Sequence, residues 1–221
     1  MKKNIIKKFI LSFTACFILI FNSCLGSSVD IQMNRDGSGR VTMEYHISNT
    51  LINFGMLDGN ESMPPVPVNR RDFQRAIDRI EGLRLVSYSS RQTSKDTIVN
   101  TVLEFSNTQT LITLLDSSFT NVTVTQNGNH GSLNIIINSN ASSHFNPDLV
   151  TLAAAQLEGY NFSLSFSAPS SSSMTITNAQ GNALQLSPNA HTQTSGRKVS
   201  LSLGMFDALT FKDGLGLNIT W

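Results

Sequence analysis

The sequence predicts an α+β fold: an antiparallel sheet built of hairpins, helices packed on one face, and a β-rich C-terminal extension. Three observations carry this. Apolar residues recur at every second position in paired stretches joined by tight turns, the pattern of half-buried strands. Stretches of helical period with caps fall between those pairs, so that strand-strand-helix occurs three times before residue 158. Beyond Pro169 only short β-type pieces follow. Strands joined by tight turns pair antiparallel, and helices between them cover a sheet face. The domains expected are 1–23, a signal segment, 24–168, the α+β domain, and 169–221, which extends the same domain because its pieces are short for a core of their own.

Val29, Ile31 and Met33 alternate with Asp30, Gln32 and Asn34. Asp36-Gly37 is a hairpin turn, since Gly tolerates positive φ. Val41, Met43, Tyr45 and Ile47 then alternate with Thr42, Glu44 and His46. From residue 49 to 57 the chain is apolar and suits one or two helical turns. From 58 to 68 it holds Gly59, Pro64, Pro65 and Pro67, a loop of the kind that serves as a lid or binding loop or is merely disordered. Asn69 caps a helix whose apolar face is Phe73, Ala76, Ile77 and Ile80, with Asp72 favouring its N-terminal dipole and Gly82 ending it.

Residues 83–88 and 97–105 read as a second strand pair across a polar turn, 89–96. Ser106 and Gln109 have capping-box spacing ahead of Leu111, Leu114 and Leu115. A third hairpin crosses the turn 127–131. Asn146 caps and Pro147 opens a further helix with Leu149, Leu152, Ala153 and Leu157 on its stripe. Tyr160, Phe162, Leu164 and Phe166 make the clearest strand. Residues 174–176, 184–186, 199–203 and 217–221 are expected to be short strands, and 205–211 a helical turn.

The N-terminus gives an address. Lys2, Lys3, Lys7 and Lys8 precede an uncharged apolar run from Phe9 to Phe21, the order of a secretory signal. Thirteen residues fall short of the roughly 20 that span a bilayer. Ser23-Cys24 at the edge of this run resembles the lipobox of bacterial lipoproteins, in which the thiol is alkylated by diacylglycerol and the chain is cut before it. The family usually carries Leu and a small residue where Phe21 and Asn22 stand, a departure of the spirochaete type. The resemblance implies a palmitate-bearing lipid anchor on Cys24, at the cell membrane on its exported side, periplasmic or surface; the alternative is an ordinary signal peptide whose Cys happens to lie near the cut. The other cysteine is Cys16; it would leave with the signal, so the thiol at residue 24 would have no disulfide partner within the mature chain.

The chain has sixteen Lys and Arg against fifteen Asp and Glu. Four of the basic residues precede Cys24, so the remainder is mildly acidic. No clustered basic run suits nucleic acid. A lipobox followed by a hairpin with an Asp-Gly-Ser-Gly turn, and a Gly turn before an Asn-Ile-Thr-Trp finish, is similar to lipoproteins of the LppM type. That resemblance covers Val29 to Tyr45 and Ala179 to Trp221. It implies an α+β domain at the cell surface with a lipid-binding surface or cavity, and it transfers no functional residue.

No catalytic signature is present: there is no Gly-x-Ser-x-Gly elbow and no His-Glu-x-x-His. Gly37-Ser38-Gly39 is turn chemistry, as are Asp36 and Asp213 before Gly. Glu44 and His46 share a strand face and suit a metal or a shared proton, although an exposed strand pair explains them more simply. His130, His144 and His191 fall in turns. No catalytic residue, metal ligand or cofactor is expected. Two apolar stretches sit where loops belong. Their simple explanation is packing. Their functional one is that Leu51, Phe54 and Met56, with Met205, Phe206 and Leu209, rim an apolar pocket or touch the membrane. The expectation is a membrane-anchored, non-catalytic module that binds lipid or another apolar ligand. A structural or protein-interaction lipoprotein of the envelope is the alternative, and a hydrolase is less favoured.

Overall fold

The computed structural model describes residues 24–49, 69–116, 120–137, 157–211 and 213–221. In chain order they form β1 (Cys24–Met33), β2 (Gly39–Ser48), α1 (Arg70–Ile77), β3 (Leu83–Gln92), β4 (Asp96–Phe105), α2 (Thr108–Leu115), β5 (Thr120–Asn127), β6 (His130–Ile137), β7 (Asn161–Ser167), β8 (Ser173–Thr177), β9 (His191–Ser195), β10 (Lys198–Gly204), α3 (Met205–Thr210) and β11 (Leu215–Thr220).

The expected α+β class is overturned. The described chain is mostly strand, in a seven-stranded sheet of order β3-β4-β2-β1-β7-β10-β9 and a four-stranded sheet of order β5-β6-β11-β8. The three helices among the described residues are short and connect strands. They do not form a layer over a sheet face. The partner of a strand is not encoded in its alternation. β8 and β11, read as extending the main sheet, instead complete a second sheet with β5 and β6. The helix expected from Asn146 lies outside the described residues.

The register makes the core legible. Leu103, Val41, Ile31, Phe166 and Val199 align across five strands of the large sheet. In the small sheet Val122, Ile135, Leu217 and Ile176 align in the same way. Both rows belong to one apolar core, and each buried aliphatic or aromatic side chain in it contributes about 1.5–3 kcal/mol. Trp221 joins the two sheets. Its ring centroid lies 4.9 Å from that of Phe166, and its backbone exchanges hydrogen bonds of 2.8 and 3.0 Å with Gly131 on β6. A Cβ on Gly131 would sit 2.6 Å from the indole Cζ2, so glycine is what lets the indole lie flat there.

Alternate residues face outward on the large sheet: Asp30, Gln32, Thr42, Glu44, Ser163, Ser165 and Ser200. Hydrophobic-in, polar-out alternation is what a sheet with one wet face requires. On that face Glu104 binds both Arg40 (2.8 Å) and Arg84, and Lys198 binds Asp30 (2.9 Å). The two guanidinium groups, Arg40 first, hold the Glu104 carboxyl below the usual carboxylate range.

Local differences have local causes. β1 and β7 run parallel, whereas only antiparallel pairs were expected. β3 and β4 extend to Gln92 and from Asp96, so the turn between them is shorter than 89–96. Asn107 caps α2 in place of Ser106, its Oδ1 accepting from the Thr110 N–H at 2.9 Å. Residues 184–186 form no strand; only an isolated bridge, Thr177 to Ala183, lies beside them. β9 is exposed at every residue and so carries no alternation to read.

Candidate functional site

Strand direction gives the domain two distinct ends. β1 begins at Cys24, opposite Ile47 near the end of β2. The parallel β7 begins beside it, with Phe162 opposite Ser27. β10, antiparallel to β7, ends there, with Gly204 opposite Asn161. Cys24, the exit of β2 toward residues 50–68, and α3 therefore share one end. The ten residues of β1 place the other end about 30 Å away, at roughly 3.3 Å per residue.

Tyr160 organises the Cys24 end. Its hydroxyl donates to Asp96 Oδ2 at 2.8 Å, and its carbonyl accepts from the Met205 N–H at 2.8 Å. A Cβ on Gly26 would be 3.2 Å from its ring. His46 meets the ring edge-on, with centroids 6.3 Å apart, and its Nε2 lies 3.2 Å from Glu44 Oε1. Burial first, and then the bond to the Asp96 carboxylate, pushes the Tyr160 hydroxyl up to about 12. The phenol is a proton-bearing donor at neutral pH. Asp96 is itself buried, and its Oδ1 has no partner among the described residues.

The far end carries a cleft of about 660 Å³ between the β1–β2 and β9–β10 turns. Its floor is the buried Met33, Ala168 and Pro169, and Arg35, Arg197 and Lys198 stand at its rim. The β1–β2 turn is braced on itself. Asp36 Oδ1 accepts from the Ser38 hydroxyl at 2.7 Å and from the Ser38 N–H at 3.0 Å. Those two bonds, the hydroxyl's first, hold the Asp36 carboxyl below its usual range.

The residues singled out by the sequence divide unequally. Cys24 is the first residue of β1. Leu51, Phe54, Met56 and His144 lie outside the described residues, as do residues 1–23. Met205 is fully buried in the core, Phe206 is half-buried, and Leu209 lies on α3. Glu44 and His46 are the surface pair that the simpler explanation describes. Among the described residues no three His, Cys, Asp or Glu come together as a metal site would need. No helix among them is long and apolar enough to cross a membrane. The bond from Tyr160 to Asp96 and the pairing of Arg35 with Arg197 across the cleft escaped the sequence, because each joins residues far apart in the chain.

The chain is thus a two-sheet β-domain with an end at Cys24 and a basic cleft at the opposite end. A family model described as the Structural protein 2 nucleoplasmin-like domain matches residues 64–216, and the chain belongs to that family. The folded domain of LppM from Mycobacterium tuberculosis, solved by NMR, is similar over 90% of this chain and 90% of that chain, with 10% sequence identity and a TM-score of 0.48. No curated protein matches.

Proposed function

We propose that this chain is an exported lipoprotein of the bacterial envelope, held to the membrane by acyl chains on Cys24, with its two-sheet domain acting as a non-catalytic structural or interaction module. The observation that carries the reading is the register. It gathers Cys24, the exit toward the apolar stretch 51–57, and α3 at one end and turns the polar cleft away from it. Acyl chains contribute about 0.8 kcal/mol per buried CH₂, and more than one chain makes anchoring durable. The family's description as a structural protein supports a scaffolding role over turnover. In labelled cells the wild-type chain should take up palmitate and partition into detergent, and Cys24→Ser should do neither. Equal labelling of the two would overturn the anchor.

A second reading places a lipid or another apolar ligand at the anchored end. It rests on Phe206, half-buried at the start of α3; Met205 is already committed to the core. Its sign is a discrete lipid mass on the mature chain in native mass spectrometry that Phe206→Ser removes. Retention of that mass by the variant would set this reading aside.

A further inference from the structure

We infer that the cleft at the end remote from Cys24 is a binding site for a small polar ligand carrying a carboxylate or phosphate group, with Arg35 and Arg197 as its cationic contacts. The argument begins with charge. Three carboxylates lie on or near this end of the large sheet, and each is already engaged. Asp30 holds Lys198, Asp36 holds Ser38, and Glu104 holds Arg40 and Arg84. Among the described residues no acidic side chain lines the cleft. Neither Arg35 nor Arg197 has a carboxylate partner among the described residues. Among the described residues the Arg197 side chain donates one long bond, 3.4 Å from Nη1 to the Pro169 carbonyl, and most of its five N–H donors are not spent on them.

Both arginines stand on turns that the fold holds in place. Gln126 reaches across from β5 and donates to the carbonyls of Asn34 (2.8 Å) and Arg35 (3.1 Å). The Ala168 N–H donates to the Arg197 carbonyl at 2.8 Å, and the Ser172 N–H to the Gly196 carbonyl at 3.0 Å. The two cations are thereby presented from opposite turns over one floor. A guanidinium presents a planar fork of donors that matches carboxylate and phosphate oxygens. Ser167 and Ser195 add hydroxyls to the walls, and the volume falls within the range of sites for small molecules.

The neighbouring cleft is a useful contrast. It measures about 360 Å³, and the one cation among its described lining residues, Arg40, is already spent on Glu104. It has the shape of a site without free charge.

The test uses the full chain in neutral detergent micelles, titrated calorimetrically at low salt with citrate and, separately, with pyrophosphate. Binding of either probe is expected. The double variant Arg35→Ala/Arg197→Ala should weaken it by about tenfold or more, the scale of lost charge-assisted hydrogen bonds. Arg91→Ala, on the opposite edge strand, should leave it unchanged. Binding of citrate alone assigns a carboxylate, and binding of pyrophosphate alone assigns a phosphate. No binding of either probe at millimolar concentration, or an equal loss in the Arg91 variant, would overturn the proposal. Both arginines of the pair are exposed, and far-UV circular dichroism will show that the double variant keeps its strands.

Discussion

Replacing Trp221 by alanine removes the side chain that fastens the small sheet to the large one. The indole is 6% exposed and lies against Phe166 and over Gly131. Truncating a buried aromatic to alanine typically costs about 3–5 kcal/mol. The indole N–H has no hydrogen-bond partner among the described residues, and an unpaired buried donor costs about 1–3 kcal/mol. The variant is relieved of that penalty, so the net loss should be about 2 kcal/mol. Trp221→Phe keeps an aromatic ring on Phe166 and also removes the unpaired N–H. It should lose less than about 1 kcal/mol, because the two effects oppose. Urea unfolding followed by far-UV circular dichroism reads both. With a slope of about 1–3 kcal/mol per molar urea, the alanine midpoint should fall by about 1 M and the phenylalanine midpoint by much less. An unchanged midpoint for Trp221→Ala would refute the claim that the indole holds the sheets together. Equal losses in the two variants would show that an aromatic ring against Phe166 contributes nothing to holding the sheets together.

Tyr160→Phe leaves the buried Asp96 without its one hydroxyl donor and should cost about 1.5–3 kcal/mol, measured by the same unfolding experiment; a loss near zero would mean that water replaces the bond. The same contact predicts a pH dependence. The Tyr160 hydroxyl is raised to about 12 in the fold against about 10 in an unfolded chain. Its contribution is therefore complete below pH 10 and is lost as the pH climbs toward 12. Stability of the wild type should fall across that window more steeply than that of Tyr160→Phe, and parallel curves would contradict the assignment.

Strands were legible wherever one face is buried and the other wet. Phe162, Leu164 and Phe166 announce β7 through period two, and Val41 to Ile47 announce β2. The helix at Arg70 was legible from Asn69 and from the spacing of Phe73, Ile77 and Ile80, all of which are buried. Pairing was not legible. The parallel contact between β1 and β7 joins segments more than a hundred residues apart, and alternation is the same whichever neighbour a strand takes. That gap produced the wrong fold class: strands available to build a second sheet were read as an extension of the first, and helices were left to cover its face. β9 failed for the opposite reason, since His191-Thr192-Gln193-Thr194-Ser195 is polar on both faces. The same limit hid the site. Arg35 and Arg197 each look like an ordinary turn residue, and only the order β1-β7-β10 sets their turns over one floor.

The two-ended arrangement itself is tested most directly by depth in the membrane. In the processed, acylated chain a fluorophore is placed on Lys95→Cys, in the turn between β3 and β4 at the Cys24 end. A second variant carries it on Asn129→Cys, in the turn between β5 and β6 at the far end. Both residues are exposed. On vesicles whose lipids carry a headgroup quencher, the probe at residue 95 should be quenched and the probe at residue 129 should stay bright. Equal quenching at both positions, or quenching at neither, would contradict the account.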